Sequence, residues 1–297
     1  MSVIKKLGRR IFGVIVKISP VLASKLIYLK VFRKRLNLKT PRTFNEKLMW
    51  LKLKEQDALK TQCTDKYLVR EYVAQQCFPE LLIDLHGIYE RAEDIDFDKL
   101  PSRFVLKCTH GSGFNIVCTN KQFLDKANVR KQLNTWLKTD YSLYSGEPQY
   151  AKIKPRIIAE RFIGKRGGKV PTDYKIHCFH GEPQFIDVIL DRDTPFKKNL
   201  TYTCEWGFLP YTQDAVQFEE VCERPVKLAD MLDIARRLSR AFTYVRVDLY
   251  AIGVRIYFGE LTFTPAACLN TTLLASADLK LGYLLNLEQK AVHSVAK

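Results

Sequence analysis

A chain of 297 residues with 46% hydrophobic and 27% charged side chains can bury a core in two or three lobes and is too apolar to stay disordered. Its formal charge of +16 is uneven, because residues 1–42 hold twelve Lys or Arg and no acid, which leaves 36 basic against 32 acidic residues in the rest. No low-complexity tract or repeat period runs through it, which excludes fibrous and solenoid architectures.

The basic arm, KKLGRRIFGVIVKISPVLASKLIYLKVFRKRL, mixes cations with Ile, Val, Leu and Phe. Lys17, Pro20, Lys25 and Lys30 interrupt it, so no stretch of about 18 uncharged residues is there to span a bilayer. The uncharged run Ile11 to Val16 is too short for a signal peptide, and none is expected. Residues 1–36 read either as a solvated helix on the body or as an amphipathic segment that docks on an anionic membrane surface. Sparse aromatics (Phe12, Tyr28, Phe32) argue against a nucleic-acid platform.

Helix Thr43–Lys54 opens on a Thr43–Glu46 capping box, and a second helix covers Thr64–Gln76 with Thr64 or Asp65 as its cap. A strand and turn follow at Leu81–Tyr89, then a loop at Asp94–Pro101. Strand Phe104–Cys108 (FVLKC) leads through THGSGFN to strand Ile116–Thr119, and Asp125–Thr139 is an amphipathic helix. Ser142–Lys154 reads as polar loop, Ile157–Ile163 as strand and Gly164–Pro171 as basic loop. Strands Asp173–Phe179 and Gln184–Leu190 flank a turn at His180–Pro183, residues 191–224 form an irregular region over a cleft, and Pro225–Phe242 is helical. A hairpin, Val245–Pro265 with its turn at Ala251–Arg255, precedes weaker helical segments at Leu269–Leu287. Hairpins and helices without regular strand–helix alternation indicate an α+β fold. The eight cysteines show no CxxC and no zinc spacing, so they read as reduced thiols of a cytoplasmic protein. Cys178 with His177 or His180 is a poor catalytic pair, since sequence neighbours in a strand rarely face each other.

Four features carry chemistry. Asp248 and Glu260 are lone acids in apolar paired strands, where a carboxylate needs compensation. They form either an ion cluster with Arg246, which shares a strand face with Asp248, or a Mg²⁺ site. Lys107 ends an apolar strand before His110-Gly111-Ser112-Gly113, a turn whose backbone N–H groups can approach phosphate, although it is no Walker A sequence. Glu160, with Phe162 and Ile163 after it, offers a carboxylate and backbone groups to a flat heterocycle, and Asp173 and Lys175 point the same way from the next strand.

The order of these pieces, DKYLVREYV, FVLKCTHGSG, KPRIIAERFI, DYKIHCFHGEPQFI, VRVDLY and IYFGELTFTP, resembles the ATP-grasp superfamily, and most closely its TupA-like branch of teichuronopeptide biosynthesis, over about residues 38–287. The resemblance implies two α+β lobes clasping ATP, with an arm at 1–42, a helical region at 43–103, a small lobe at 104–163 and a large lobe with the metal site at 164–290. It implies phosphate contacts from Lys66 and Lys107 under a lid at 110–115, adenine against Glu160, Phe162 and Ile163, and ribose near Asp173 and Lys175. Mg²⁺ would sit on Asp248, Glu260 and Thr262, with Arg246 and Lys175 in catalytic roles. The implied enzyme is a carboxylate–amine ligase that joins an amino acid or amino sugar to a small-molecule or lipid-linked saccharide on the inner face of the cell membrane. Two departures stand out: Thr262 replaces the usual Asn, and Ala266-Ala267 replace glycines, which is expected to narrow the acceptor site and remove positive-φ freedom. Two rivals remain. One is a glycosyltransferase using the same metal site, for which the DxD-like Asp94-Ile95-Asp96 and Asp191-Arg192-Asp193 lie in loops, and the other is a decayed ATP-grasp binding module.

Overall fold

The structure, a computed structural model, describes residues 3–76, 78–164, 171–190, 198–213, 215 and 222–289. Its helices in chain order are α1 (Val3–Ile18), α2 (Pro20–Phe32), α3 (Phe44–Lys54), α4 (Ala58–Thr64), α5 (Val69–Gln75), α6 (Lys126–Leu137), α7 (Tyr141–Ser145), α8 (Leu228–Ser239) and α9 (Ala275–Leu284). The strands make two antiparallel sheets. The small one holds β1 (Leu85–Tyr89), β2 (Phe104–Cys108), β3 (Asn115–Cys118) and β4 (Ile157–Arg161) in the order β1-β4-β2-β3. The large one holds β5 (Thr172–Phe179), β6 (Glu182–Leu190), β7 (Lys198–Thr203), β8 (Phe208–Leu209), β9 (Tyr244–Ile252) and β10 (Arg255–Thr262) in the order β10-β9-β5-β6-β7-β8.

Period-two alternation decides what each sheet face does. In β2, Phe104, Leu106 and Cys108 are buried against Leu133 of α6 and the loop residues Ile95 and Phe97, while Val105 and Lys107 face the other way. In the large sheet, Tyr174, Ile176 and Cys178 of β5 and Val245, Val247 and Leu249 of β9 share one face. That face is covered by Met231, Ala235 and Leu238 of α8. Each fully buried aliphatic side chain here contributes roughly 1.5–3 kcal/mol. The opposite face changes character along its length. At one end Phe179, Phe185 and Tyr244 pack on Phe44 of α3, and at the other stand Asp173, Lys175, Arg246 and Asp248.

Several elements follow the sequence closely. The Thr43–Glu46 capping box opens α3, with Thr43 Oγ1 accepting from Glu46 N at 3.3 Å and Glu46 Oε2 accepting from Thr43 N at 3.2 Å. Others differ. The expected helix Thr64–Gln76 begins only at Val69, as α5, because Asp65 Oδ1 accepts from Tyr67 N (2.8 Å) and Leu68 N (3.3 Å) and so closes a turn between it and α4, a short preceding helix that was not expected. Lys66 stands in that break. The expected loop Ser142–Lys154 contains α7 and a 3₁₀ turn at Pro148–Tyr150. Residues 191–224 contribute β7 and β8, while Asp191-Arg192-Asp193 and most of the basic loop 164–171 lie outside the described residues.

The arm is two helices attached along one side. Gly13 approaches Leu143 of α7, Gly146 lies against Phe12, and the Arg9 guanidinium sits 4.6 Å over the Tyr144 ring. On α2, Ala23, Ser24 and Tyr28 are buried. Ile11, Val14, Ile18, Leu22, Leu26 and Leu29 remain exposed at helical spacing. Among the described residues no helix is long and apolar enough to cross a membrane.

Candidate active site

The polar end of the large sheet faces the free side of the small sheet across a cavity of about 410 Å³. Lys66, Lys107, Ser112, Gly113, Glu160, Phe162, Ile163, Asp173, Lys175, Asp248 and Glu260 all line it. A second cavity of about 290 Å³ adjoins it, with Arg246 and Thr262 in its wall, and Lys66, Ser112, Gly259 and Glu260 border both. Of the residues singled out from the sequence, His110 and Gly111 stand apart. The His110 ring is buried, its Nε2 lies 3.0 Å from Trp136 O, and it rests edge-on against Phe114. It therefore shapes the loop from behind. Gly111 contributes its carbonyl, which accepts from Lys66 Nζ at 2.5 Å. A Cβ at Gly111 would come within 2.7 Å of the Phe114 ring, so that position tolerates no side chain.

On the small sheet, Lys107 and Glu160 pair at 2.5 Å. Both project to the cavity side because Val105 and Lys107 alternate out of the buried face and Glu160 lies opposite Val105. Ile83, Val105 and Val117 add an apolar wall, whose only signal in the sequence is the alternation in FVLKC. On the large sheet the charges interlock. Arg246 makes a two-pronged contact with Asp248, Nε to Oδ1 at 2.6 Å and Nη2 to Oδ2 at 2.7 Å. Its Nη2 also donates to Thr262 Oγ1 at 3.1 Å, and Thr262 donates to Glu260 Oε1 at 2.8 Å. Lys175 Nζ reaches Asp248 at 2.5 Å and Asp173 at 2.9 Å.

A β-bulge puts Glu260 in this group. Phe258 pairs with Leu249 and Glu260 with Asp248, so Gly259 is an extra residue in β10. Before it Ile256 and Phe258 face the core under α8, and after it Leu261 and Phe263 do. Without the bulge, Glu260 and Thr262 would be driven into that core.

The electrostatics keep the acids ionised. Burial works to raise the Asp248 carboxyl, but Arg246 and Lys175 outweigh it and hold it below the usual range. Burial and Asp248 push Glu260 up, and Lys66, Arg246 and Lys175 bring it down below its ordinary value. Burial, resisted by Glu260 and aided by Lys107, lowers Lys66. Beneath Arg246 runs a chain the sequence did not disclose, in which His177 Nε2 lies 3.1 Å from Asp187 Oδ2 and Nδ1 2.9 Å from Tyr244 OH. Burial lowers the His177 pKa, so the ring is neutral, with Tyr244 donating to Nδ1 and Nε2 donating to Asp187. Cys178 points to the opposite face of β5, where burial pushes its thiol up to about 12, so it forms no pair with His177.

The donor set suits a hard cation. Asp248 and Glu260 are two ionised carboxylates opposite each other in register, beside a cavity also lined by Lys66, Lys107 and Lys175, an arrangement that suits Mg²⁺ shared with phosphate oxygens. The apolar wall at one end and cations at the other suit a nucleotide. Among the described residues no group of three or more His, Cys, Asp or Glu is gathered for a metal. The site thus offers two carboxylates and leaves other coordination positions to phosphate and water.

The backbone at the far wall of the smaller cavity departs from expectation. Ala266, Ala267 and Cys268 have φ of 50°, 54° and 65°. The alanines were expected to exclude this left-handed conformation, and the chain adopts it regardless, held by Ala267 N donating to Thr264 O (2.9 Å) and Leu269 N to Ala266 O (3.0 Å).

The sequence model of a family described as TupA-like ATP-grasp matches residues 46–286. No curated protein matches the chain. Among solved structures, D-alanine–D-alanine ligase from Bacillus anthracis complexed with ATP is 18% identical with a TM-score of 0.42, covering 75% of this chain and 63% of that one. The ATP-grasp ligase PsnB with its minimal precursor is 11% identical with a TM-score of 0.42, covering 80% of this chain and 65% of that one. Carboxyaminoimidazole ribonucleotide synthase from Aspergillus clavatus complexed with ATP is 10% identical with a TM-score of 0.40, covering 68% and 45%. The chain therefore spans less than two thirds of the length of each of these.

Proposed function

The chain belongs to the TupA-like ATP-grasp family, and from that premise we propose that it is an ATP- and Mg²⁺-dependent ligase that joins an amine to a carboxylate in the assembly of a cell-surface polysaccharide. The observation that carries the reading is the junction of the two cavities, where Lys66, Ser112, Gly259 and Glu260 border both and Arg246 stands at the edge. ATP would place its base against Ile83, Val105 and Val117 and its phosphates toward Lys66 and Lys107. Asp248 and Glu260 would hold Mg²⁺, which supplies charge neutralisation and orientation for the phosphates. Arg246 orients the acceptor carboxylate. One carboxylate oxygen attacks the γ-phosphorus, the bond to ADP breaks, and an acyl-phosphate forms. The amine nitrogen then attacks the carbonyl carbon, the carbon–oxygen bond to phosphate breaks, and phosphate leaves with the displaced proton.

The test is ATP consumption by the full chain with Mg²⁺ against uronic acids paired with amino acids and amino sugars, with hydroxylamine added to trap acyl-phosphate as hydroxamate. Turnover should require a carboxylate, and Lys107→Ala and Glu260→Ala should each lower kcat/KM by about 10²–10³. Turnover retained in both variants sinks the assignment. Stabilisation by nucleotide sugars in preference to ATP would favour the glycosyltransferase reading.

The same reading places the protein on the inner face of the cell membrane. Two features of the arm support an anionic lipid surface as its partner. Its open side shows Ile11, Val14, Ile18, Leu22, Leu26 and Leu29, and Arg9, Arg10, Lys17, Lys25, Lys30 and Arg33 are exposed beside them without a single acid.

A further inference from the structure

The smaller cavity contains a carboxyl group that the mechanism above does not use. Glu147 lies just past α7, is only 5% exposed, and lines the cavity with Tyr141 and Tyr150. Its Oε1 accepts from Thr264 Oγ1, which in turn accepts from Gln149 Nε2 at 2.7 Å, so the carboxyl is held in one orientation. Among the described residues no Lys, Arg or His comes within ion-pair distance of it, although every other buried acid of the site has a cationic neighbour: Asp248 has Arg246 and Lys175, Asp173 has Lys175, and Glu160 has Lys107. Lys52, itself buried, acts on it only from beyond ion-pair distance; a buried carboxyl without a direct counter-ion is costly, and the cost falls when a cation arrives. The tyrosines add two ring systems, 4.7 Å apart between centroids, beside the same space. Aromatic faces attract ammonium groups and not neutral amides. The cavity lining therefore carries both signs, Arg246 and Lys66 as cations and Glu147 as a carboxyl.

We propose that Glu147 is the seat of the primary ammonium group of the amine donor, and the base that receives its proton. This rests on the ligase reading for its chemistry. The ammonium R–NH₃⁺ passes one proton to the Glu147 carboxylate and becomes R–NH₂. The nitrogen lone pair then forms the bond to the acyl carbon, phosphate takes the electron pair of the broken carbon–oxygen bond and a second proton from nitrogen, and Glu147 releases its proton to water. Burial raises the Glu147 pKa, which favours it as acceptor of that proton. At about 290 Å³ the cavity has room for an amino acid or amino sugar.

The experiment is a calorimetric titration of the full chain, saturated with AMP-PNP and Mg²⁺, with glucosamine and the common amino acids, each beside its N-acetyl derivative. At least one free amine should bind and its N-acetyl form should not. Glu147→Gln keeps the shape and the Thr264 contact, and should weaken that amine at least tenfold. Thr264→Val, which only loosens the carboxylate, should weaken it about two- to fivefold. Near-UV circular dichroism and melting of both variants with AMP-PNP report that the fold is intact. Equal binding of amine by Glu147→Gln, equal binding of the N-acetyl form, or no binding of any amine to the wild-type chain overturns the assignment. Hydroxylamine trapping by the wild-type protein separates the two ideas. No hydroxamate from any carboxylate, with amine binding intact and dependent on Glu147, refutes the ligase reading and leaves the ammonium site standing.

Discussion

Three consecutive L-residues in the left-handed region are the most strained residues of the site. Such a conformation costs roughly 1–2 kcal/mol per residue, because Cβ crowds the following carbonyl. Ala266 and Ala267 lack that crowding only if replaced by glycine, whose own entropy cost offsets part of the gain. Ala266→Gly and Ala267→Gly should therefore each stabilise the protein by about 0.5–1 kcal/mol, read as a higher urea midpoint at unchanged slope. A lower midpoint would show that the turn is not strained. The sequence disclosed the departure at these positions but not its outcome, since φ is fixed there by hydrogen bonds to Thr264 and Leu269 and by Cys268 being fully buried. The residues that were legible are charges amid apolar alternation: Lys107, Asp173, Lys175, Asp248 and Glu260 each break a hydrophobic strand. Glu147 was not legible, because in SGEPQY a carboxylate is unremarkable until the fold buries it.

At the scale of elements, the bulge in β10 does for Glu260 what no residue type does alone. Its signal is present in IYFGELTF, where apolar positions 256 and 258 are followed by 261 and 263, a step of three where a regular strand takes two. Gly259 has no room for more. A Cβ there would lie 2.9 Å from the Asp248 carbonyl oxygen and 3.1 Å from the Tyr250 ring. Gly259→Ala should accordingly part the two strands, cost about 1–3 kcal/mol in urea unfolding, and reduce turnover by moving Glu260 off Asp248. Wild-type stability in that variant would mean that the bulge adapts freely. Helix existence was read well where capping and periodicity agree, as in α3 and α6. It missed α4 and set the start of α5 too early, because Asp65 takes the backbone N–H groups of Tyr67 and Leu68 into a turn.

The whole molecule presents its charge asymmetrically, and the arm carries the surplus. Each Lys or Arg near an anionic surface contributes about 1 kcal/mol, screened by salt. The full chain should sediment with vesicles containing anionic lipid and not with neutral phosphatidylcholine vesicles, and binding should fall as salt rises. Replacing Lys17, Lys25, Lys30 and Arg33 by Gln should abolish it. Sedimentation indifferent to lipid charge, or to those four changes, rules out docking through the arm. The attachment of the arm has a further consequence. Helix α1 leans on α7 through Gly13 and Gly146, and the same α7 supplies Tyr141 and Ser145 to the wall of the smaller cavity. Any surface that grips the outer side of α1 thus sets the compass bearing of the cavity, because only one five-residue helix stands between them. The distance from the gripped surface to the reacting groups is then a fixed property of the chain, as in a tool whose handle and cutting edge are forged from one piece.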